Sequence, residues 1–390
     1  MIRRSARHDI IVFAVLLLGC VILWFVPAPK SGTENDGIRT RAKVVSADDS
    51  AVEVHGLLKY GTQSLQVEIL EGPWKGRTFR AENIIRAQME LDKVFKPGDT
   101  ILTVLQQGDT PEHSVIRAQD HDRSGWTFLL AGLFCLFLCV FGGWTGVKAL
   151  FSFFLSCMVI WKGVIPLVLK GWNASWTIFA FVCLLTAAIM YLVAGINRKG
   201  TAAFLGAITG VFAGLLMSHL FTAVMKINGA VLPYSQTLYY SGFSFLDLQD
   251  LFTGALILAS SGAVMDLAMD IASGVEEVAR HNPELPSKAL TASGMRIGRS
   301  VVGTMTTTLL LAYSGGYITL LMMFSAQGSS LIEILNNPLV ASESVKTLIG
   351  SFSLVLVAPF TAIFAGFLIR GKYLQKRPDS IQENHENNSH

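Results

Sequence analysis

Eight apolar runs of roughly 17 to 25 residues dominate this sequence, each long enough to cross a hydrocarbon core as a helix. They lie near 10–26, 126–145, 149–169, 176–195, 202–225, 250–275, 300–325 and 346–369. A chain built this way has few alternatives to a polytopic α-helical membrane bundle, because lipid offers no partner to an open backbone polar group. Composition agrees: only 15% of residues are charged, against about 25% in ordinary soluble domains. The exception is residues 30–123, which hold many charges and no long apolar run.

The first run follows the basic flank "MIRRSARHD". That is the pattern of a signal peptide, but "FVPAPKSG" is a poor cleavage site, so 1–29 is expected to stay as a transmembrane anchor. Positive charges set the orientation. With the N-terminus inside, Arg3, Arg4, Arg7, Lys148, Arg198, Lys199, Arg280, Lys288, Arg296, Arg299 and Arg370 fall at cytoplasmic ends, while the short outer loops carry only Lys170, Lys226 and Lys346. Both termini are therefore expected in the cytoplasm, with residues 30–123 outside, a seven-helix membrane domain over 124–371, and a polar, disordered tail over 372–390. Nothing in the charge distribution reads as a nucleic-acid surface. The five cysteines all lie in apolar runs without metal-ligand spacing, and are read as small hydrophobes.

Between the first two runs the period changes. "IRTRAKVV", "SLQVEIL", "GRTFRAEN" and "DTILTVL" alternate apolar and polar residues as half-buried strands do, and "EGPWKG" and "KPGD" are turn chemistry. Five or six such strands predict a small extracytoplasmic β-barrel-like, OB-like domain between the first and second helices. Its histidines, His55, His113 and His121, have no metal-ligand spacing, and "QDHDR" at 119–123 is read as a charged linker into the membrane.

Ionisable side chains within apolar runs mark functional positions by default, because placing them there is costly. Asp266 and Asp270 stand four residues apart in "SSGAVMDLAMDIASG", which puts them on one helix face. Two carboxylates this close repel, so one is protonated or a cation lies between them. At about 1.5 Å per residue they sit roughly 5 Å and 11 Å to the cytoplasmic side of the midplane. Thr304, Thr306, Thr307 and Thr308 of the next run fall at matching depth. Hydroxyls with carboxylates suit Na⁺, Mg²⁺ or Ca²⁺, or a proton relay. The blander reading for any single threonine is a bond back to the preceding turn.

Pro359 is expected to break the last run, with Thr361 lining the same cavity. "AYSGGY" at 312–317 loosens the seventh run. Lys162 is a candidate charge partner for Asp266, and Glu343 a candidate gate at the outer mouth of the last run. His219 reads as a hydrogen-bonded packing residue, while Asp250, Glu276 and Glu277 lie near run ends, where water reaches them. Gly206, Gly210 and Gly214, at four-residue spacing, fit close packing within the bundle or in a homo-oligomer. "ASSG" at 259–262 only partly matches the G-x-S-G of intramembrane proteases, so the chain is not expected to be an enzyme.

"GAVMDLAMDIASGVEEV", "SGMRIGRSVVGTMTTTLLLAY" and "ESVKTLIGSFSLVLVAPFTAI" together resemble the YibE/F-like family of bacterial membrane proteins. The likeness runs from about 125 to 370, and the outer domain with its "PWKG" turn fits as well. The family pattern has asparagine where this chain has Thr307, and often serine where it has Asp270, which leaves Asp266 the firmer site residue. The resemblance implies a multi-pass protein of the bacterial cytoplasmic membrane, described as a permease, without a settled substrate or mechanism. The expectation is a secondary transporter or permease that moves a small solute or ion, contacts membrane lipids, and holds a cation or exchanges protons. The alternative is a non-transporting scaffold or sensor whose outer domain recruits a partner.

Overall fold

The computed structural model describes residues 13–14, 16–21, 25, 38–89, 92–106 and 115–374, with side chains to 370. The chain divides into two compact units, with boundaries before Pro29 and after Phe141.

The strands of the second unit are β1 (Ile38–Asp48), β2 (Val52–His55), β3 (Leu58–Ile69), β4 (Thr78–Arg86), β5 (Thr100–Gln106) and β6 (Val115–His121). They pair in the order β1-β5-β6-β4-β3-β2, and β1 also pairs with β3, so five strands close into a barrel with β2 as a hairpin extension. The β4–β6 pair is parallel and the others antiparallel. The alternation seen in the sequence decides which side chains point inward: Ala42 and Val44, Leu65, Val67 and Ile69, Ala81, then Ile101 and Leu105 are all buried. The segment "QDHDR" is only partly a linker, since Gln119–His121 complete β6. Asp120 there pairs with Lys93 at 3.0 Å and Arg123 at 2.8 Å.

A polar network centred on Gln63 lies inside the barrel. The Gln63 amide donates to Asp49 Oδ1 (2.7 Å) and to the Phe95 carbonyl (2.8 Å). Its oxygen accepts from the Phe95 amide (3.1 Å) and from Asn83 (3.0 Å). Gln63 therefore clamps the segment carrying Phe95, itself fully buried, over β3 and β4. Removing it leaves buried donors and an acceptor unpaired. We expect Gln63→Ala to destabilise the barrel by about 3 kcal/mol, read as lost hydrogen-exchange protection of β3 and β4 amides. Unchanged protection would show that water replaces the clamp.

At the surface Arg41 bridges Glu71 and Asp122. The Arg41 hydrogen bond holds Glu71 below the usual carboxylate range. The Ser124 hydroxyl, then its amide, and then Arg41 do the same for Asp122. A carboxyl depressed in the folded state contributes stability above its unfolded pKa, near 4, and that contribution is lost as pH falls through the folded value. Protection of β1 and β6 amides should thus be level above about pH 5 and decline below about pH 4. The double variant Glu71→Gln, Asp122→Asn should flatten that acid limb; an unaltered limb would place its origin elsewhere.

The helices are α1 (Ser124–Val159), a π-helical turn (Ile160–Val164), α2 (Ile165–Leu169), α3 (Ala174–Ala194), α4 (Arg198–Val224), α5 (Ser235–Tyr240), α6 (Leu248–His281), α7 (Ser287–Gly315), α8 (Ile318–Gln327), α9 (Leu331–Asn336) and α10 (Pro338–Leu374). Their ends follow ordinary capping chemistry. Asn173 accepts from Trp176 N, Asn197 from Gly200 N, and Asp247 from the amides of Gln249 and Asp250. The long helix α10 is central, packing against α4, α6 and α7, while α6 also packs against α3 and α4.

Among the described residues five helices are long and apolar enough to cross a membrane, or six if α7 and α8, bent by 68°, count as one broken span. That is compatible with a membrane protein and is fewer than the eight runs counted in the sequence. The runs at 126–145 and 149–169 fall in one helical stretch, Ser124–Leu169. Within it Gly143 adopts φ 51°, ψ −130°, a backbone state open to glycine alone. The run at 10–26 lies largely outside the described residues, as does most of the 372–390 tail.

The expected break at Pro359 is not where the chain bends. Helix α10 continues through it, although proline removes one backbone donor. Ala358 and Ala362 seat closely against Gly298 and Gly294 of α7 and hold the turn on either side. The interruption falls at Gly315–Tyr317, in the loosened "AYSGGY" segment, between α7 and α8.

Candidate functional site

The helix α6 is apolar nearly all round, and packing sorts its faces. Val264, Leu267, Ala268 and Ile271 are completely buried. Ala259, Gly262, Asp266 and Asp270 form the exposed stripe opposite. The two carboxylates do share one face, as their spacing requires, and that face looks away from the bundle core. Among the described residues, the charged neighbour acting on Asp266 is Asp270.

On α7, Gly303, Thr304, Thr307 and Thr308 are exposed as well. Their hydroxyls donate to carbonyls three or four residues earlier: Thr304 to Val301 (2.9 Å), Thr307 to Gly303 (3.0 Å) and Thr308 to Thr304 (3.0 Å). Each retains oxygen lone pairs for another partner. Thr306 points the other way, and its buried Oγ1 has no hydrogen-bond partner among the described residues. Contacts between the two helices set their relative height: a Cβ on Gly298 would touch the Ile271 side chain, and one on Gly274 would touch Ile297. Asp266 accordingly stands level with Gly303 and Thr304.

Thr361 belongs to another seam. It is fully buried on α10 against Gly206 of α4, and its Oγ1 has no hydrogen-bond partner among the described residues. Val357 and Ser353 lie against Gly210 and Gly214 in the same way, so the glycine stripe serves packing within the bundle. Pro359 is part of this continuous helix. Lys162 lies in the π-helical turn, whose Gly163 packs on the Phe181 ring of α3. Ser260 and Ser261 bond back to Ile257 and Leu258.

Glu343 is already engaged. It accepts from Lys346 at 2.5 Å, Tyr317 lines the same cavity, and Lys346 Nζ sits 5.5 Å from the Phe252 ring centroid. This cluster borders a cavity of about 280 Å³ beside the α7–α8 bend, lined by Leu310, Ser314, Tyr317, Leu321, Glu343 and Thr347 among others. Tyr317 and Lys346 were not candidates from the sequence, although the i,i+3 spacing of Glu343 and Lys346 announces their pairing.

A second polar group also escaped the sequence reading. Asp250 is only 7% exposed, although its place near a run end suggested open contact with water. It accepts from the Ser175 amide at 3.1 Å, and Ser175 Oγ meets His219 Nε2 at 3.1 Å. That bond fits the packing role expected of His219. Asp250 ties the start of α6 to the start of α3, while Asp247 caps α6 itself. Among the described residues no group of three or more His, Cys, Asp or Glu side chains is placed to hold a metal ion.

The model of the YibE/F-like protein family matches residues 130–371. The chain belongs to this family. No curated protein and no solved structure matches it. The stretch shared with the YibE/F-like family contains α3 to α7 and α10 up to residue 371, and so holds both aspartates, the threonines and the Glu343 cluster.

Proposed function

We propose that this YibE/F-like protein is a secondary transporter or permease of the bacterial cytoplasmic membrane, with a cation- or proton-binding site centred on Asp266. The observation that carries the reading is a pair of carboxylates exposed on a membrane-length helix, level with the hydroxyls of Thr304 and its neighbours. Lipid does not leave such groups unsatisfied without a use for them. Asp270 and the oxygens of Thr304, Thr307 and Thr308 extend the site. The bend at Gly315–Tyr317, with its adjoining cavity, supplies the interrupted helix that transport sites employ.

Eight crossings underlie the proposal: the five long helices, the bent pair as a sixth, the division of Ser124–Leu169 at Gly143 as a seventh, and the run at 10–26 as an eighth. Both termini then lie in the cytoplasm and the barrel outside, where its five-strand closure supports an OB-like reading. The test is thermal stability of the purified chain across Na⁺, Mg²⁺, Ca²⁺ and pH, since a ligand of the folded state raises stability with its concentration. A selective rise in the wild type that is absent in Asp266→Asn supports the site; identical behaviour of the two proteins refutes it.

The scaffold or sensor reading has one observation in its favour. The β2–β3 hairpin exposes Val54, Leu57, Leu58 and Tyr60 at its tip, a surface suited to a partner. In that case deletion of residues 32–122 destroys function and Asp266→Asn leaves it intact.

A further inference from the structure

A cavity of about 200 Å³ lies between the turn that joins α2 to α3 and the loop that leads into α6, with Trp172, Asn173, Phe245, Asp247 and Asp250 among its lining residues. Asp250 is more than nine-tenths buried, and its Oδ2 accepts the Ser175 amide at 3.1 Å. Its Oδ1 has no hydrogen-bond donor among the described residues. Asp247, at the exposed edge, spends Oδ1 on the amides of Gln249 and Asp250. Among the described residues no Lys, Arg or His forms an ion pair with either carboxylate, and that includes Lys170 just before the α2–α3 turn. The starts of α3 and α6 contribute about half a positive charge each. Two carboxylates therefore leave the cavity with about one negative charge in excess. A carboxylate buried to this degree with no cationic side chain beside it is costly.

The aromatic walls decide what kind of cation fits. The Phe245 ring lies over Gly171, 3.5 Å from where a Cβ would stand, and packs against Phe243 with 6.1 Å between ring centroids. Gly171 itself has φ 92°, a backbone state that suits glycine. We propose that this cavity binds a small organic cation, an ammonium or guanidinium group on a short apolar chain. Asp250 and Asp247 take the charge, while Trp172 and Phe245 enclose the apolar part and offer ring faces to the cation. A metal ion fits worse. Mg²⁺ and Ca²⁺ ask for six or more oxygens, whereas indole and phenyl groups supply none and each carboxylate already serves backbone amides. The volume falls below the roughly 300–1,000 Å³ of drug-sized sites, which restricts the ligand to a small amine. Asp250 stands about 24 Å along α6 from Asp266. Binding here is thus separate from the Asp266 site and does not depend on the transport reading.

The experiment follows thermal stability of the purified full chain against n-butylammonium, n-butylguanidinium and, as neutral control, n-butanol. The wild type should gain saturable stability from at least one of the two cations and none from the alcohol. Asp250→Asn keeps an acceptor for the Ser175 amide, and Asp247→Asn keeps a helix cap, so both should fold. Each should weaken binding roughly tenfold or more, and the double variant should abolish it. Trp172→Ala, at an exposed side chain, should weaken it about tenfold. Asp266→Asn should respond like the wild type. A wild type indifferent to both cations, equal stabilisation by n-butanol, or a double variant with its response intact would overturn the site. Stabilisation by Na⁺, Mg²⁺ or Ca²⁺ that requires Asp250 and displaces both organic cations would make it a metal site instead. Loss of the response in Asp266→Asn would move the binding to that residue and defeat the proposal. If the aspartate variants fail to fold, Trp172→Ala decides, and an unchanged affinity there refutes the cavity.

Discussion

Gly206→Leu is expected to abolish recovery of folded, monodisperse protein. Any Cβ at this position would lie 2.0 Å from Thr361 Oγ1 and 2.8 Å from Thr361 Cα. The hydroxyl can rotate away, but the Cα belongs to the backbone of α10, which is packed against three other helices and has nowhere to go. In lipid the association of helices relies on close packing, because the hydrocarbon around them is as apolar as their side chains. Forcing α4 and α10 apart therefore forfeits the contacts that hold the bundle, an effect of about 4 kcal/mol or more. Gly214→Ala should be milder, since its near contact, 2.1 Å, is with the Ser353 hydroxyl, and the next is at 3.3 Å. Size-exclusion profiles of the detergent-extracted variants provide the comparison. A Gly206→Leu protein as stable as the wild type would mean that the seam is not close-packed.

Asp266→Asn should reduce ion-coupled uptake in vesicles to background while leaving expression and the elution profile unchanged. The side chain is exposed and makes no hydrogen bond among the described residues, so its neutral isostere removes charge without opening a cavity. Asp270→Asn should leave residual uptake, because Asp270 only extends the site that Asp266 centres. Retained uptake in Asp266→Asn is the result that would end the proposal. A proton-coupled system would show uptake rising with an imposed pH gradient, and a metal-coupled one would follow the cation instead.

The strands and the apolar helices were legible because each rests on a local period. Alternation decides the inward side of a strand, so Val44, Leu65 and Ile101 fell where the pattern put them. The four-residue spacing of the aspartates likewise fixed their common face. The direction of that face was not legible. In lipid both sides of a helix are apolar, so hydropathy does not separate the inside of the bundle from its periphery, and Asp266 was assumed to line a cavity with Thr361. Packing decided otherwise. Thr361 has its place because Gly206 has no side chain, a relation between residues 155 positions apart that no local pattern carries. The same ambiguity left open whether the glycine stripe faced another helix or another copy. Pro359 misled for a related reason: its local tendency to bend the chain was overruled by the alanines packed on either side.

The seam between α4 and α10 also has a mechanical meaning. Gly206, Gly210 and Gly214 receive Thr361, Val357 and Ser353 in antiparallel order. Sliding α4 one turn in one direction, about 5.4 Å, would bring Ala202 onto Thr361. Sliding it the other way would bring Ser218 onto Ser353. Ala202 would press on the Thr361 backbone and Ser218 would crowd the Ser353 hydroxyl, so sliding is resisted in both directions, most firmly at Thr361. Helices α4 and α10 must travel as a single rigid strut, and any large rearrangement of this bundle has to turn about that strut rather than run along it.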